Sequence, residues 1–353
     1  MSEKSFQISD RRVGFGQAVY VIAELSANHG GSLDRAIELV HLAAANGADA
    51  IKLQTYTADT MTLPLDRPPF IVGGGTPWTG RQLFELYEEA STPWDWHRDL
   101  FREANSLGLH CFSTPFDQTA VEFLEGLDPP AYKVASFELL DHALIERIGT
   151  TGRPVIISTG MATAEEIDAA VAAARRGGTK DMALLRCNSA YPAPASEMDL
   201  RTIEDMVERW GLPVGLSDHT LGDIATIVAV AKGACIVEKH LTWSRAEPGP
   251  DSSFSLEPLE FGRLVARIRE VEAALGSIRY GPSPAEEPSL AFRRSLWFVR
   301  DLAAGSVITE GDVAALRPAG GLPPSELPNV IGRRTSIAVE RGMPVDSDAL
   351  TGA

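Results

Sequence analysis

Residues 213–241 read PVGLSDHTLGDIATIVAVAKGACIVEKHL. Two short apolar runs, PVGL and CIV, each give way to polar residues that finish on a histidine, His219 and His240. The runs are continuously apolar rather than alternating, as strands buried on both faces are. Six more runs of this kind precede them, at 19–29, 48–56, 109–116, 131–138, 154–161 and 182–189. Helical patterns fill the gaps. SLDRAIELVHLAAANG has Ser32 as its N-cap and Gly47 as its terminator. TAEEIDAAVAAARRGG has Thr163 and Glu166 at capping-box spacing and closes on Gly177 and Gly178. After the eighth run, Phe261, Leu264, Val265, Ile268, Val271 and Leu275 mark one face of a last long helix. Strand–helix alternation implies parallel strands joined by right-handed crossovers. Eight such units predict an α/β fold, a closed (β/α)8 TIM barrel, over residues 1–276. The longest insertion, roughly 57–100, carries Trp78, Trp94 and Trp96 and is expected to lid one side of the barrel mouth.

Near residue 276 the pattern stops. Residues 277–292 are rich in Pro, Gly, Ser and charge and read as a linker. Residues 293–353 hold short β-like pieces, SLWFVRDL, SVIT, VAALRPAGG and TSIAVERGMPV, separated by turn signals. A β-rich domain this small folds alone only marginally. The net charge of −16, from 48 acidic and 32 basic side chains, argues against a general nucleic-acid binder. It leaves room for a small anionic substrate in a locally basic pocket. Cys111, Cys187 and Cys235 form no CxxC pair and fit neither a zinc site nor a disulfide framework. They read as buried free thiols in a reducing cytoplasm. MSEKSFQISDRR lacks the apolar core of a signal peptide, and no run approaches a membrane span. The expectation is a cytoplasmic protein with no membrane or nucleic-acid partner.

A TIM barrel collects its functional residues at the C-terminal ends of its strands. Those ends bring Glu24, Asn28 and His29; Lys52 and Gln54; Ser113 and Thr114; Lys133, Ser136 and Glu138; Ser158 and Thr159. The later strands add Arg186, Asn188, Ser189 and Tyr191, then Ser217, Asp218 and His219, then Glu238, Lys239 and His240. Single polar residues at strand ends are usually helix caps, and Asp117 and Thr163 read that way. Lys52, Lys133, Lys239 and Arg186 are different, because an unpaired charge in an apolar segment is costly. Glu24 and Glu238 can neutralise some of them, and a bound phosphate or carboxylate would account for the rest. Lys239 adjoins His240 and so points to the opposite face, outside the site. His219 and His240 end neighbouring strands. They are either a pair of divalent-metal ligands or two core histidines bonded to backbone.

The ordered set AELSANHGGSLDRA, GADAIKLQTY, STPFD, AYKVASFE, ISTGM, GLSDHTLG, EKH and PGPDSSFSLEP resembles the sialic acid synthase family across nearly the whole chain. RPAGGL and its surroundings look like that family's C-terminal antifreeze-like (SAF) domain. ELSANH, ASFE and TPWTGRQLFELYEEASTPWDWH look most like the branch that makes pseudaminic acid. The family condenses phosphoenolpyruvate with an open-chain amino sugar, giving a nine-carbon 2-keto acid and phosphate by C–O cleavage. By similarity, Lys52 and Thr114 would hold the carboxylate of phosphoenolpyruvate. Lys133, Ser136, Ser158, Ser189 and Ser217 would hold its phosphate. His219 and His240 would carry Mn2+ or Mg2+, Glu24 would be the general acid/base, and Gln54 would help orient metal and substrate. Tyr191 and Asp251 would contact sugar hydroxyls. Arg317 would reach the sugar's N-acyl group from the other chain of a domain-swapped homodimer. The expected sugar is 2,4-diacetamido-2,4,6-trideoxy-L-altrose. Rivals are the N-acetylneuraminate and legionaminate precursors, a metal-dependent keto-acid aldolase without a phosphate cradle, and a non-enzymatic ice-binding module.

Overall fold

The computed structural model describes residues 5–351. It divides into two compact units, one up to Gly276 and one from Ser277 onward. The first unit opens with a hairpin, β1 (Ser5–Ile8) and β2 (Arg11–Gly14). Eight parallel strands follow: β3 (Tyr20–Glu24), β4 (Ala50–Thr55), β5 (His110–Pro115), β6 (Tyr132–Val134), β7 (Val155–Ser158), β8 (Met182–Cys187), β9 (Val214–Asp218) and β10 (Ile236–His240). They pair in chain order and β10 closes onto β3, so the sheet is a complete barrel. The expected barrel is therefore present, with every strand inside its predicted run. Among the described residues no helix is long and apolar enough to cross a membrane.

The period of two along each strand sorts the side chains. Val21, Ile51, Leu53, Val134, Ile157, Leu184 and Val237 face outward into the large core shared with the helices. Tyr20, Ile22, Ala50, Phe112, Ile156, Leu185 and Ile236 fill the barrel interior. Phe6, Ile8 and Val13 of the hairpin join that inner cluster, and all three are buried. The hairpin thus plugs the barrel floor. The sequence reading missed it because two four-residue strands carry too few alternations to stand out. One step above the apolar layer, the inward positions turn polar: Glu24, Lys52, Thr114, Lys133, Ser158, Ser217 and Glu238 are all buried.

The helix signals hold. Ser32 accepts from the amide of Arg35, and Thr163 forms a capping box with Glu166. Asp117 caps its helix through the amides of Thr119 and Ala120. The last barrel helix, Pro258–Leu275, buries Phe261, Leu264, Val265 and Ile268, but Leu275 is exposed at its C-terminal end. The insertion folds into two short helices, Ala58–Met61 and Leu83–Ala90, with irregular chain between them.

The second unit has less strand than expected. β11 (Ser295–Phe298) pairs with β12 (Val313–Leu316), and β13 (Arg334–Thr335) pairs with β14 (Leu350–Thr351). SVIT and most of TSIAVERGMPV contribute only isolated bridges. Glycine and proline recur too often for longer ladders. Leu296, Phe298, Ile308, Val313, Val339 and Val345 nevertheless make a separate small core.

Candidate active site

A cavity of about 750 Å³ opens at the C-terminal end of the barrel. Its floor is the polar layer. Lys52 Nζ lies 2.6 Å from Glu24 Oε2 and 3.3 Å from Glu238 Oε1. Lys133 Nζ lies 4.0 Å from Glu238 Oε2 and donates to Ser158 Oγ at 2.6 Å. Lys52 also donates to Thr114 Oγ1 at 3.2 Å, and Ser217 Oγ donates to Glu238 Oε1 at 3.2 Å. Two buried lysines thus alternate with two buried carboxylates. Their protons are poised accordingly. Burial is the largest influence on Glu24 and lifts its carboxyl to about 7, against the pull of Lys52. Burial likewise lowers Lys133 to about 8, with Glu238 resisting. At Lys52 burial is more than offset by Glu238 and Glu24, which hold it at about 12.

Lys52 and Lys133 are the two of the four expected cations that face inward. Lys239 points out of the barrel, as alternation requires, and pairs with Asp218 at 2.8 Å. Arg186 shares the outward parity of Leu184. It donates to the carbonyls of Met198 and Cys187 and does not join the site. Ser113 also faces out, bonded to Thr55 at 2.6 Å. Asn28 holds the Leu241 carbonyl and the Ser255 hydroxyl.

Ser136, Ser158, Ser189 and Ser217 line the cavity beside Lys133. Gly160 makes their approach possible: a Cβ there would sit 2.5 Å from both Ser136 Cβ and Ser189 Oγ. Asn188 turns away, donating to the Glu197 carbonyl, so Ser189 is the one directed inward. Cys187 lies among these hydroxyls, a residue the strand-end reading passed over although it shares the inward parity of Leu185. Glu138 lies on the same wall, its carboxyl raised to about 7 chiefly by burial.

His219 and His240 stand with ring centroids 5.4 Å apart. His219 Nδ1 donates to the Asn188 carbonyl at 2.8 Å, which orients the ring and turns Nε2 toward the cavity as the nitrogen that can ligate when the ring is neutral. His240 Nδ1 is buried with no hydrogen-bond partner, and burial holds its imidazole well below the usual range, hence neutral. Burial works against the charge on His219, but Cys187 and the Asn188 carbonyl outweigh it and raise its imidazole. One ring oriented from behind and one neutral ring left orphaned suit a divalent cation with open positions.

Above the histidines sits an aromatic cluster. Tyr191 lies 4.4 Å over His219, Phe254 lies 5.1 Å from His240, and Trp78 packs on both aromatic rings. The Trp78 indole N–H donates to the Pro250 carbonyl at 2.8 Å, next to Asp251. Of the three tryptophans in the insertion, Trp78 alone lines the cavity; Trp94 bonds the Tyr56 carbonyl and Trp96 packs on His29. Gln54 donates to Ser26 Oγ at 3.0 Å, and Ser26 in turn donates to Asp251. Arg317 lies in the second unit, exposed at the end of β12.

Residues 39–280 match the NeuB family, and residues 293–351 match the SAF domain. The chain is 41% identical over 324 residues to the pseudaminic acid synthase of Campylobacter jejuni subsp. jejuni, covering 92% of this chain and 94% of that one. It is 36% identical to the N,N'-diacetyllegionaminic acid synthase of Legionella pneumophila, covering 93% and 94%. Its fold matches the crystal structure of an N-acetylneuraminic acid synthetase from Leptospira borgpetersenii in complex with citrate, with a TM-score of 0.73 and 28% identity over 82% of this chain and 95% of that one. The chain therefore belongs to the NeuB (sialic acid synthase) family and is a phosphoenolpyruvate-dependent nonulosonic acid synthase built as a TIM barrel followed by an SAF domain.

Proposed function

We propose that this enzyme condenses phosphoenolpyruvate with 2,4-diacetamido-2,4,6-trideoxy-L-altrose to give pseudaminic acid and phosphate. The observation that carries the choice of sugar is the 41% identity to a pseudaminic acid synthase over 92% of the chain, against 36% to a legionaminic acid synthase. The test is steady-state kinetics with three sugars: this altrose, the legionaminate precursor and N-acetylmannosamine. The altrose should give the highest kcat/KM, with one phosphate released per turnover. A higher kcat/KM for either competitor overturns the assignment.

Lys52 and Thr114 take the carboxylate of phosphoenolpyruvate, and Lys133 takes its phosphate with Ser136, Ser158, Ser189 and Ser217. The ligand's negative charge replaces part of what Glu238 now supplies to the lysines. Gln54, Tyr191 and Asp251 orient the sugar over the enol carbon, and the aromatic cluster with Trp78 keeps water from that side. Glu24 takes the proton of the water that attacks C2. A carboxyl near 7 can both accept and return a proton at neutral pH. Enzymes of this family generally use a divalent metal. In this chain His219 and His240 would hold it, as Mn2+ or Mg2+, and it would supply Lewis-acid stabilisation of the negative charge that develops on the sugar's aldehyde oxygen. Arg317 completes the site of a second chain in a domain-swapped homodimer. The three cysteines are free and buried, which suits a cytoplasmic enzyme.

A further inference from the structure

We propose that Ser26 is a positioning residue that locks the sugar-handling side of the site to the acid/base side; it rests on the reading of Glu24, Gln54 and Asp251 given above. Four non-glycine residues among those described have positive φ: Ser9, Ser26, Asp128 and Asp199. The other three are exposed, and Ser26 alone is buried. Its φ of 45° lies in the left-handed region, which glycine enters freely and a residue with a Cβ enters at a cost. A buried residue held there without need would be replaced by glycine at no loss of packing. Strain of this kind persists where the surroundings use it.

Ser26 is used three ways. Its backbone N–H donates to Glu24 Oε1 at 2.9 Å, fixing the carboxylate whose other oxygen faces Lys52. Its hydroxyl accepts from Gln54 Nε2 at 3.0 Å. The same hydroxyl donates to Asp251 Oδ2. Glu24 ends β3, Gln54 lies on β4, and Asp251 sits in the turn beyond β10. The turn that Ser26 makes directly after Glu24 brings one residue within reach of all three. The hydroxyl has a single proton, and it goes to the carboxylate. The amide of Gln54 must therefore present its N–H to Ser26, which leaves its carbonyl oxygen for a sugar hydroxyl. Burial pushes the Asp251 carboxyl upward, and the Ser26 bond works against that rise, keeping an acceptor ready for the sugar.

Ser26→Gly separates the two roles of the residue. Glycine adopts this φ without strain and keeps the amide that holds Glu24, but it has no hydroxyl. The full-length variant should melt no lower than the wild type. Its kcat/KM for the sugar should fall about tenfold, the worth of one charge-assisted hydrogen bond, while KM for phosphoenolpyruvate stays within about twofold. Ser26→Ala should show the same kinetic split but melt below Ser26→Gly, since alanine keeps the strain that glycine relieves. In an Asp251→Ala background, Ser26→Gly should cost much less than it does alone, because the two residues act as one unit. An unchanged kcat/KM for the sugar in Ser26→Gly overturns the proposal, and so does an equal rise of KM for both substrates. If the wild type consumes no phosphoenolpyruvate with any of the three sugars, the functional reading fails first and the proposal falls with it.

Discussion

At the scale of single residues, the roles proposed for Glu24 and Lys133 imply a pH dependence. In the proposed mechanism Glu24 must be ionised to take a proton from water, so activity should be lost as pH falls through about 7. If Lys133 holds the phosphate as proposed, it must be charged to do so, and activity should be lost as pH rises through about 8. The profile of kcat/KM for phosphoenolpyruvate should therefore be a narrow bell. Glu24→Gln keeps the shape and removes the titrating group. It should lower kcat by about 10²–10⁴ and flatten the acid limb. An acid limb that survives in the variant assigns that limb to another group. The histidines make a separate case. His219→Asn or His240→Asn should abolish Mn2+ binding measured by calorimetry, with far-UV circular dichroism unchanged. Full turnover in excess EDTA contradicts a metal at this pair. The sequence made these residues visible because each is a polar group at the end of an apolar run. Ser26 was not visible, since its importance lies in a backbone angle and in partners on β4 and beyond β10.

Alternation decides more at the scale of elements than residue identity does. Arg186 and Lys52 are both cations inside apolar strands, yet one faces the helices and the other the cavity. Counting by twos from the inner apolar layer, Leu185 to Cys187 or Ile236 to Glu238, separates them; reading the last residues of each run does not. Lys239 shows what the outward positions do. Its ammonium binds Asp218 Oδ2 and the Thr220 carbonyl, and Asp218 also takes the Thr220 amide and the Thr226 hydroxyl. This buried pair bolts β9 to β10 directly behind the two histidines, at register partners. Lys239→Met should cost about 3–5 kcal/mol in urea unfolding because Asp218 is left buried and unpaired. Asp218→Leu with Lys239→Met should recover most of that loss, and a double variant as unstable as the single one would assign the effect to packing. The floor hairpin, and which of the three tryptophans reaches the cavity, were illegible for a different reason. Both depend on contacts across long stretches of chain, Phe6 with the inner layer and Trp78 with Pro250.

The distribution of charge over the whole molecule bears on how two chains can meet. Residues 277–353 contain eight arginines, no lysine and nine carboxylates, a balance of −1 out of −16, which leaves −15 on the barrel. Two barrels in direct contact repel. The nearly neutral second unit is the part that can approach another barrel at little electrostatic cost. It has its own core but a small one, and docking would add the burial that a domain of this size lacks. Its RPAGGL turn is fixed from within, since the Ser295 hydroxyl and the Trp297 indole both donate to the Pro318 carbonyl, at 3.0 and 2.9 Å. Arg317, next to that anchored proline, is exposed and held on a rigid base, as a side chain that must reach a ligand should be. If it serves another chain's site, two inactive enzymes can repair each other. Arg317→Ala and His219→Ala should each be inactive alone. Mixed and allowed to exchange subunits, they should regain activity, because one of the two sites in each heterodimer pairs an intact His219 with an intact Arg317 from the opposite chain. At equal mixing half of the dimers are heterodimers and each has one working site, so about a quarter of wild-type activity should return. A mixture that stays inactive while native mass spectrometry shows heterodimers places the arginine over its own barrel instead.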